Sequence, residues 1–144
     1  MKSVVELDID APQSRVAELF TDPRRNTEWM DDVERIEPLT GGLGQPGSTY
    51  RIVPKTGKLH FVARVISRQL PQEARLNLDD PSVSVSITAR FSALSDIRTR
   101  LNSEEIFTFK GIFGPLVAIF ARSAIKREHR RHMEAFKRFA EGQP

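Results

Sequence analysis

Hydrophobic and polar residues alternate along most of the first 109 positions of this chain. In residues 3–10, Val5, Leu7 and Ile9 lie on one side and acidic residues on the other. A period of two predicts a half-buried strand. Further short alternating segments, each bounded by turn residues, predict about six more strands, at 32–39, 49–54, 58–67, 74–78, 82–94 and 96–109.

Two short helices are predicted between the first and second strands. Pro12 occupies a natural first helical position, and Val16 and Leu19 follow it at helical spacing. Asp22 can then cap, and Pro23 can open, a second short helix. The chain therefore begins with one strand followed by two short helices.

One long helix is predicted after the last strand, where the apolar spacing becomes helical and stays so to about Glu141. Its first half is nearly all apolar and its second half is rich in Arg, Lys and His. The apolar stretch Ile112–Ala121 is about half the roughly 20 residues that a membrane-spanning helix requires, so a transmembrane segment is excluded. Strands joined by short turns indicate an antiparallel sheet, and this helix is the large element that can cover its apolar face. The predicted fold class is α+β.

Three segments resemble one known superfamily. They are VELDIDAPQSRVAELFTDP followed by Trp29, then VERIEPLTGGLGQPGSTYR, and finally KGIFGPLVAIFAR. The chain is similar to START-related, birch-allergen-like helix-grip proteins, and most of all to their bacterial polyketide cyclase/dehydrase-like (SRPBCC) branch. The resemblance implies one helix-grip domain over residues 1–144, with a curved sheet of about seven strands wrapped around the long C-terminal helix and a cavity between them. This superfamily uses one cavity for many ligands and a few reactions, so the resemblance defines no catalytic residues.

Strand parity predicts which side chains face the space between sheet and helix. By this parity, Leu59 and Ile97 are among the residues that face inward. Trp29 is either an aromatic lid at the cavity mouth or an ordinary core residue. The residues predicted to bind a ligand are Trp29, Tyr50, Phe61, Ile87, Phe91, Leu101, Ser103, Glu105, Phe107, Ala121, Ile125 and His129.

Glu105 is the chemically distinctive position on the last strand. The parity that turns Leu101 and Phe107 inward also turns Ser103 and Glu105 inward. A carboxylate among apolar side chains is costly unless it is paired, hydrogen-bonded or protonated, and desolvation would raise its pKa. A β-bulge would reverse the parity and expose Glu105 instead, so both orientations stay open.

Two histidines lie on the helix face that is expected to meet the sheet. At 100° per residue, Ala121, Ile125, His129 and His132 share one stripe. The histidines would anchor the polar group of a ligand, supply a general base, or simply fill a half-wet edge of the interface. No metal site is expected, because the third histidine, His60, is predicted to point outward.

The first half of the long helix is apolar on a second side as well. Val117, Phe120 and Ala124 form this second stripe. The segment is therefore expected to be buried twice, once against the sheet and once against another surface. Candidates for the second cover are the two short helices with Phe20 and Trp29, a dimer partner, or a membrane surface, and the short helices are favoured.

Composition and charge narrow the range of partners. The chain has 144 residues, no cysteine, a net charge of +3 and a pI near 9.6. The basic residues of the last helix are interleaved with glutamates and lack a set of stacking aromatics, so nucleic acid is not expected. Disulfides and thiolate metal sites are excluded, and no cofactor is expected. The N-terminal residues do not resemble an export signal, so a cytoplasmic location is expected.

Three functional hypotheses follow from these patterns. The leading one is non-catalytic binding or transport of a small hydrophobic or amphipathic molecule (lipid, quinone, polyketide- or steroid-like), with Tyr50, Ser103, Glu105 and His129 orienting polar groups. The second is an enzyme of the polyketide cyclase/dehydrase or isomerase type, with Glu105 or His129 as general base. The third is an interaction module that uses residues 113–124 to form a homodimer or to touch a membrane.

Overall fold

The computed structural model describes residues 1–144 and contains one seven-stranded antiparallel sheet. The strands are β1 (Lys2–Ile9), β2 (Val33–Thr40), β3 (Thr49–Pro54), β4 (Phe61–Gln69), β5 (Glu73–Asp79), β6 (Val83–Ser95) and β7 (Arg98–Phe109). Their order in the sheet is β1-β7-β6-β5-β4-β3-β2. Consecutive strands therefore pair as a meander from β2 to β7, and β1 joins the free edge of β7.

Helices account for the rest of the regular structure. Helix α1 (Gln13–Thr21) and a 3₁₀ helix (Pro23–Glu28) connect β1 to β2, and helix α2 (Gly114–Glu141) follows β7. The Asp22 side chain accepts a hydrogen bond from the Arg24 backbone N–H at 3.1 Å, which is the predicted cap. The element order predicted from the alternation is confirmed, with the second short helix formed as 3₁₀ rather than α.

The main hydrophobic core lies between the sheet, α1 and the C-terminal half of α2. Phe136 is fully buried at its centre. The Phe20 ring contacts Phe136 edge-on at 5.0 Å between centroids and stacks on Trp29 at 5.8 Å. A second, smaller core lies on β3 and β4 around Tyr50 and Val65. Met30 packs against both cores and so joins them.

The first half of α2 is exposed, which corrects the expectation that the two short helices cover it. Ile112 is 89% exposed and Phe120 is 81% exposed. Phe20 and Trp29 contact Phe136 instead. Phe136 follows Phe120 by sixteen positions along the helix, or about 24 Å, so the short helices cannot reach both. No helix is both long and apolar enough to cross a membrane.

Two positions assigned to the interior by strand parity are also exposed. Leu59 precedes the first residue of β4, and Ile97 lies in the turn between β6 and β7. Ile97 is 74% exposed. Parity holds only inside a paired strand, because turn residues do not keep the pleat.

The connection from β7 to α2 is tight. Gly111 has a φ of +90°, a backbone conformation that favours glycine. Gly114 is buried, and a Cβ atom there would lie 2.2 Å from the carbonyl oxygen of Phe109. The Lys110 ammonium donates to the Asp80 carbonyl at 2.8 Å and to the Asp79 carboxylate at 2.9 Å. These contacts hold the first turn of α2 close to the end of the sheet.

Candidate functional site

A cavity lies between the inner face of the sheet, the 3₁₀ helix and α2. It encloses about 100 Å³, and its wall is mostly apolar. The sheet contributes residues from β3 to β7, and the helices contribute aromatic, methionine and histidine side chains. The wall includes Phe20, Trp29, Met30, Tyr50, Arg68, Ile87, Glu105, His132 and Met133.

Glu105 places a carboxyl group in this wall. The pairing of β6 with β7 has no register shift near Glu105, which lies opposite Ile87, so the bulge that would have exposed Glu105 is absent. The side chain is 17% exposed. Burial raises the pKa of Glu105 to about 7, and no hydrogen bond to the carboxyl group offsets that rise. Near neutral pH, Glu105 therefore exchanges readily between a hydrogen-bond donor and an acceptor.

His129 lies behind the cavity wall rather than in it. Its Nδ1 atom is 2.7 Å from Ser3 Oγ and its Nε2 atom is 2.9 Å from Ser103 Oγ. A neutral imidazole satisfies both contacts, donating to one hydroxyl and accepting from the other. Burial lowers the pKa of His129 to about 4. Although Nε2 lies 3.7 Å from Glu105 Oε2, the neutral ring forms no ion pair with it.

His132, one turn further along α2, is the histidine that reaches the cavity. Its Nε2 atom lies 3.3 Å from Asp32 Oδ1. This contact raises the pKa of His132 and lowers the pKa of Asp32. The charge on His132 also lowers the pKa of Glu105, but burial outweighs that effect.

Carboxylates cluster beside His132 at the surface. Ligand atoms of Asp31, Asp32 and His132 lie within 4.8 Å of one another. However, the Arg131 guanidinium donates to both Asp31 carboxylate oxygens at 3.0 Å, and both aspartates are exposed. A guanidinium therefore already neutralises Asp31, and hydrogen bonding to His132 explains the position of Asp32.

Other polar groups frame the cavity. Tyr50 is buried, and burial raises the pKa of its hydroxyl to about 12, so the hydroxyl stays protonated. Arg68 donates to the Glu18 carboxylate at 2.8 Å and to Thr21 Oγ1 at 3.3 Å, which ties β4 to α1. The Trp29 indole N–H is buried and has no hydrogen-bond partner. Trp29 is both a core residue and part of the cavity wall.

The structure brings together part of the predicted set. Trp29, Tyr50, Ile87 and Glu105 line the cavity. The others lie outside its wall, in two groups: Phe91, Leu101, Ser103 and His129 are buried in the core, and Phe61, Phe107, Ala121 and Ile125 are half-buried. The predicted ligand-binding set omitted Arg68, His132 and Met133, although His132 was a candidate polar anchor on the helix stripe that faces the sheet. The helical stripe indicates that His132 faces the sheet, but the sequence does not indicate how far along the helix the cavity lies.

A comparison with protein families identifies the group to which this chain belongs. The family model described as "Polyketide cyclase / dehydrase and lipid transport" matches residues 1–141. The chain therefore belongs to this family, as its sequence motifs indicated. No protein with a curated description matches the chain significantly.

Solved structures share the fold at low sequence identity. The Zhui aromatase/cyclase from a Streptomyces species superposes with a TM-score of 0.81 at 17% identity, over 98% of this chain and 93% of that one. Ara h 8.0201 gives 0.76 at 12% identity, over 99% of both chains. Norcoclaurine synthase from Thalictrum flavum gives 0.73 at 12% identity, over 99% of this chain and 88% of that one. Identities this low show the fold alone, and the predicted helix-grip fold is confirmed.

Proposed function

We propose that this protein reversibly binds a small hydrophobic or amphipathic molecule in the cavity, with the polar group of the ligand placed at Glu105. One observation carries the proposal: a mostly apolar wall presents a single carboxyl group to which no protein group donates a hydrogen bond. The apolar wall would supply affinity by burial. The unpartnered carboxyl group would gain a partner only when a ligand or water meets it.

The chemistry of Glu105 suits a carbonyl or hydroxyl group on the ligand. A protonated carboxyl donates to a carbonyl, and an ionised one accepts from a hydroxyl. With a pKa of about 7, Glu105 can do either near neutrality. Lipids, quinones, polyketides and steroids all join such a group to an apolar body.

The cavity is small for a lipid-, quinone-, polyketide- or steroid-like ligand. A dry cavity of about 150 Å³ holds one benzene molecule, and this cavity measures about 100 Å³. A larger ligand therefore requires side chains to move. Met30 and Met133 in the wall are suited to this, because unbranched thioether side chains repack easily.

A second candidate function, a cyclase/dehydrase- or isomerase-type enzyme, rests on the same residue. A carboxyl group with a pKa near 7 in a water-poor cavity is suited to act as a general acid or base at neutral pH. His129 is less suited to that role, because both of its nitrogens are hydrogen-bonded to serines outside the cavity. Glu105 is the proposed base in this alternative.

The proposal places this binding function in a single domain spanning residues 1–144. It also places the protein in the cytoplasm, which the cysteine-free sequence suits, because reducing compartments hold few disulfide-bonded proteins.

Fluorescence of N-phenylnaphthylamine, displaced by menadione, progesterone or a lysophospholipid, tests the binding proposal. Glu105→Gln removes the titrating group, and Glu104→Gln on the opposite face of β7 is the matched control. We expect displacement by at least one class, with an affinity that varies between pH 5 and 9 (about two units either side of 7) in wild type and Glu104→Gln. The variation should be clearly smaller in Glu105→Gln, where His132 is the titrating group that remains in the cavity wall. No binding of the probe, or identical pH profiles in all three proteins, would overturn the proposal. Conversion of the added compound to a product of different mass (dehydration) or of equal mass but different chromatographic retention (isomerisation or cyclisation) would favour the enzyme.

A further inference from the structure

Residues 112–120, just before and at the start of α2, present an apolar surface that no other element covers. We call it the apolar tip. It consists of Ile112, Phe113, Leu116, Val117, Ile119 and Phe120, each exposed by 45% or more. Single exposed apolar residues are common, but a contiguous group with two phenylalanines marks an interaction surface.

The apolar tip is held in place rather than loosely attached. Gly114 packs directly on the Phe109 carbonyl, and Lys110 is hydrogen-bonded to the Asp80 carbonyl. The helix continues without a break to Glu141, and its second half is anchored in the core by Phe136. The exposed side chains are thus presented on a rigid element.

Unpaired positive charge lies next to the apolar tip. Residues 106–127 contain no Asp or Glu. Every salt bridge formed within α2 involves residues after 127. Arg122, Lys126 and Arg127 therefore have no carboxylate partner. Arg127 follows Phe120 by seven residues, or about 10 Å along the helix axis.

We propose that the apolar tip docks on the surface of a lipid bilayer that contains anionic phospholipid. Amphipathic segments bury their apolar side chains about 5–10 Å into the boundary between headgroups and acyl chains. At that depth, Arg122, Lys126 and Arg127 lie at the level of the headgroups, whose phosphates supply the missing negative charge. The proposal does not depend on the cavity or on Glu105.

The charges favour a bilayer over a second copy of the chain. Two copies packed through their apolar tips would bring two sets of unpaired cations together. The segment 106–127 has no carboxylate with which to neutralise them. Like charges meeting across an interface oppose association, whereas an anionic bilayer is complementary to them.

Vesicle flotation tests the proposal directly. The probes are phosphatidylcholine vesicles with and without about one quarter phosphatidylglycerol, at roughly 0.05 M and 0.5 M NaCl, which bracket strong and weak screening. We expect flotation with the anionic vesicles at low salt, reduced flotation at high salt, and little with phosphatidylcholine alone. Absence of flotation with anionic vesicles at low salt, or equal flotation with both vesicle types, would overturn the proposal.

Two variants separate the apolar and the charged contributions. Phe113→Ser/Phe120→Ser removes exposed rings, and Ile97→Ser, an equally exposed apolar residue in the β6–β7 turn, is its control. Arg122→Gln/Lys126→Gln/Arg127→Gln removes positive charge beside the apolar tip. Its control is Lys55→Gln/Lys58→Gln, which removes positive charge from the exposed loop between β3 and β4. We expect each test variant to weaken vesicle binding about tenfold or more, and the controls to match wild type. Sedimentation analysis tests the alternative that two copies of the chain dimerise through their apolar tips. A wild-type dimer that Phe113→Ser/Phe120→Ser makes monomeric, without vesicle binding, would overturn the bilayer proposal.

Discussion

The Nε2 atom of His129 lies 2.9 Å from the hydroxyl oxygen of Ser103, and this contact places the imidazole behind the cavity wall. Because Nδ1 contacts Ser3 at 2.7 Å, the ring joins β1, β7 and α2. Its role in the structure is to hold the helix against the sheet, which leaves Glu105 as the titratable group in the cavity with no hydrogen-bond partner in the protein.

His129 should make stability depend on pH in the acidic range. Its pKa is near 4 in the folded state and 6.5 in the reference state, so the unfolded chain binds the proton first as pH falls. Stability from this group is intact above pH 6.5 and is lost between pH 6.5 and 4, by up to about 3 kcal/mol. Urea unfolding across this range, compared between wild type and His129→Leu, measures the effect.

The urea unfolding experiment distinguishes the pH effect of His129 from a general loss of stability. We expect His129→Leu to be less stable than wild type at pH 7, because it leaves the buried hydroxyls of Ser3 and Ser103 unpaired at about 1–3 kcal/mol each. Its stability should nevertheless fall less steeply below pH 6.5. His60→Leu, at an exposed position, should keep the wild-type slope. A parallel slope in His129→Leu would show that this histidine is not buried as a neutral group.

The sequence left two orientations open for Glu105, which the regular pairing of β6 with β7 decides in favour of the cavity, and it did not indicate the partners of the histidines. Parity along β7 is reliable because the pairing of β6 with β7 runs without a register shift from Val83 to Ala93. His129 and His132 share one helical stripe, so periodicity treats them alike. Their environments differ because α2 meets β1 and β7 at His129 and meets the cavity and Asp32 one turn later. Which elements α2 meets at each of its turns depends on the tertiary arrangement and not on the periodicity of the helix.

The main error in the sequence-based prediction was that the two short helices would cover the apolar first half of α2. An apolar stretch indicates that burial is favourable, but it does not specify which element provides the burial. Phe20 and Trp29 pack on Phe136, in the second half of α2. Strand β1 contacts α2, and because α1 and the 3₁₀ helix follow β1 in the chain, β1 sets where these two short helices lie along α2. The sequence left the short helices, a dimer partner and a membrane surface open as covers, and the structure excludes the first of them.

Replacing Glu105 by Gln should stabilise the protein at alkaline pH. The pKa of Glu105 is raised from 4.5 to about 7 on folding, so the folded state holds the proton more tightly. Stability is therefore lost as pH rises from 4.5 to 7, and the penalty is complete above 7. Glu105→Gln should gain up to about 3 kcal/mol at pH 8 and almost nothing at pH 4. Denaturant unfolding at both pH values checks this, and Glu104→Gln should show no such difference.

Filling the cavity should abolish ligand binding without unfolding the protein. Ile87 lies in the wall beside Glu105, as its partner on the neighbouring strand, and is only half-buried. Ile87→Trp would occupy much of the cavity of about 100 Å³. We expect probe affinity to fall at least about tenfold while the protein stays folded and loses no more than about 1–3 kcal/mol of stability. Thr88→Trp, on the outer face of the same strand, should bind the probe normally, and unchanged binding by Ile87→Trp would move the ligand site elsewhere.

Gly114 should be intolerant of substitution. A Cβ atom would lie 2.2 Å from the Phe109 carbonyl oxygen, which is backbone and cannot move aside cheaply. Gly114→Ala should therefore cost about 2 kcal/mol or more in thermal or urea unfolding, although alanine is the better helix former by about 1 kcal/mol. Gly142→Ala is the control, because its nearest contact is 3.4 Å. Equal effects of the two changes would contradict the tight connection between β7 and α2.

Native mass spectrometry of the protein purified from its own host, with organic extraction of any bound material, tests the central claim most directly. The account predicts a stoichiometric small molecule that carries a carbonyl or hydroxyl group on an apolar body. It also predicts that Ile87→Trp, purified in the same way, carries none. A ligand retained equally by wild type and Ile87→Trp, or an empty wild-type protein that also fails to bind lipids, quinones and steroids, would contradict it.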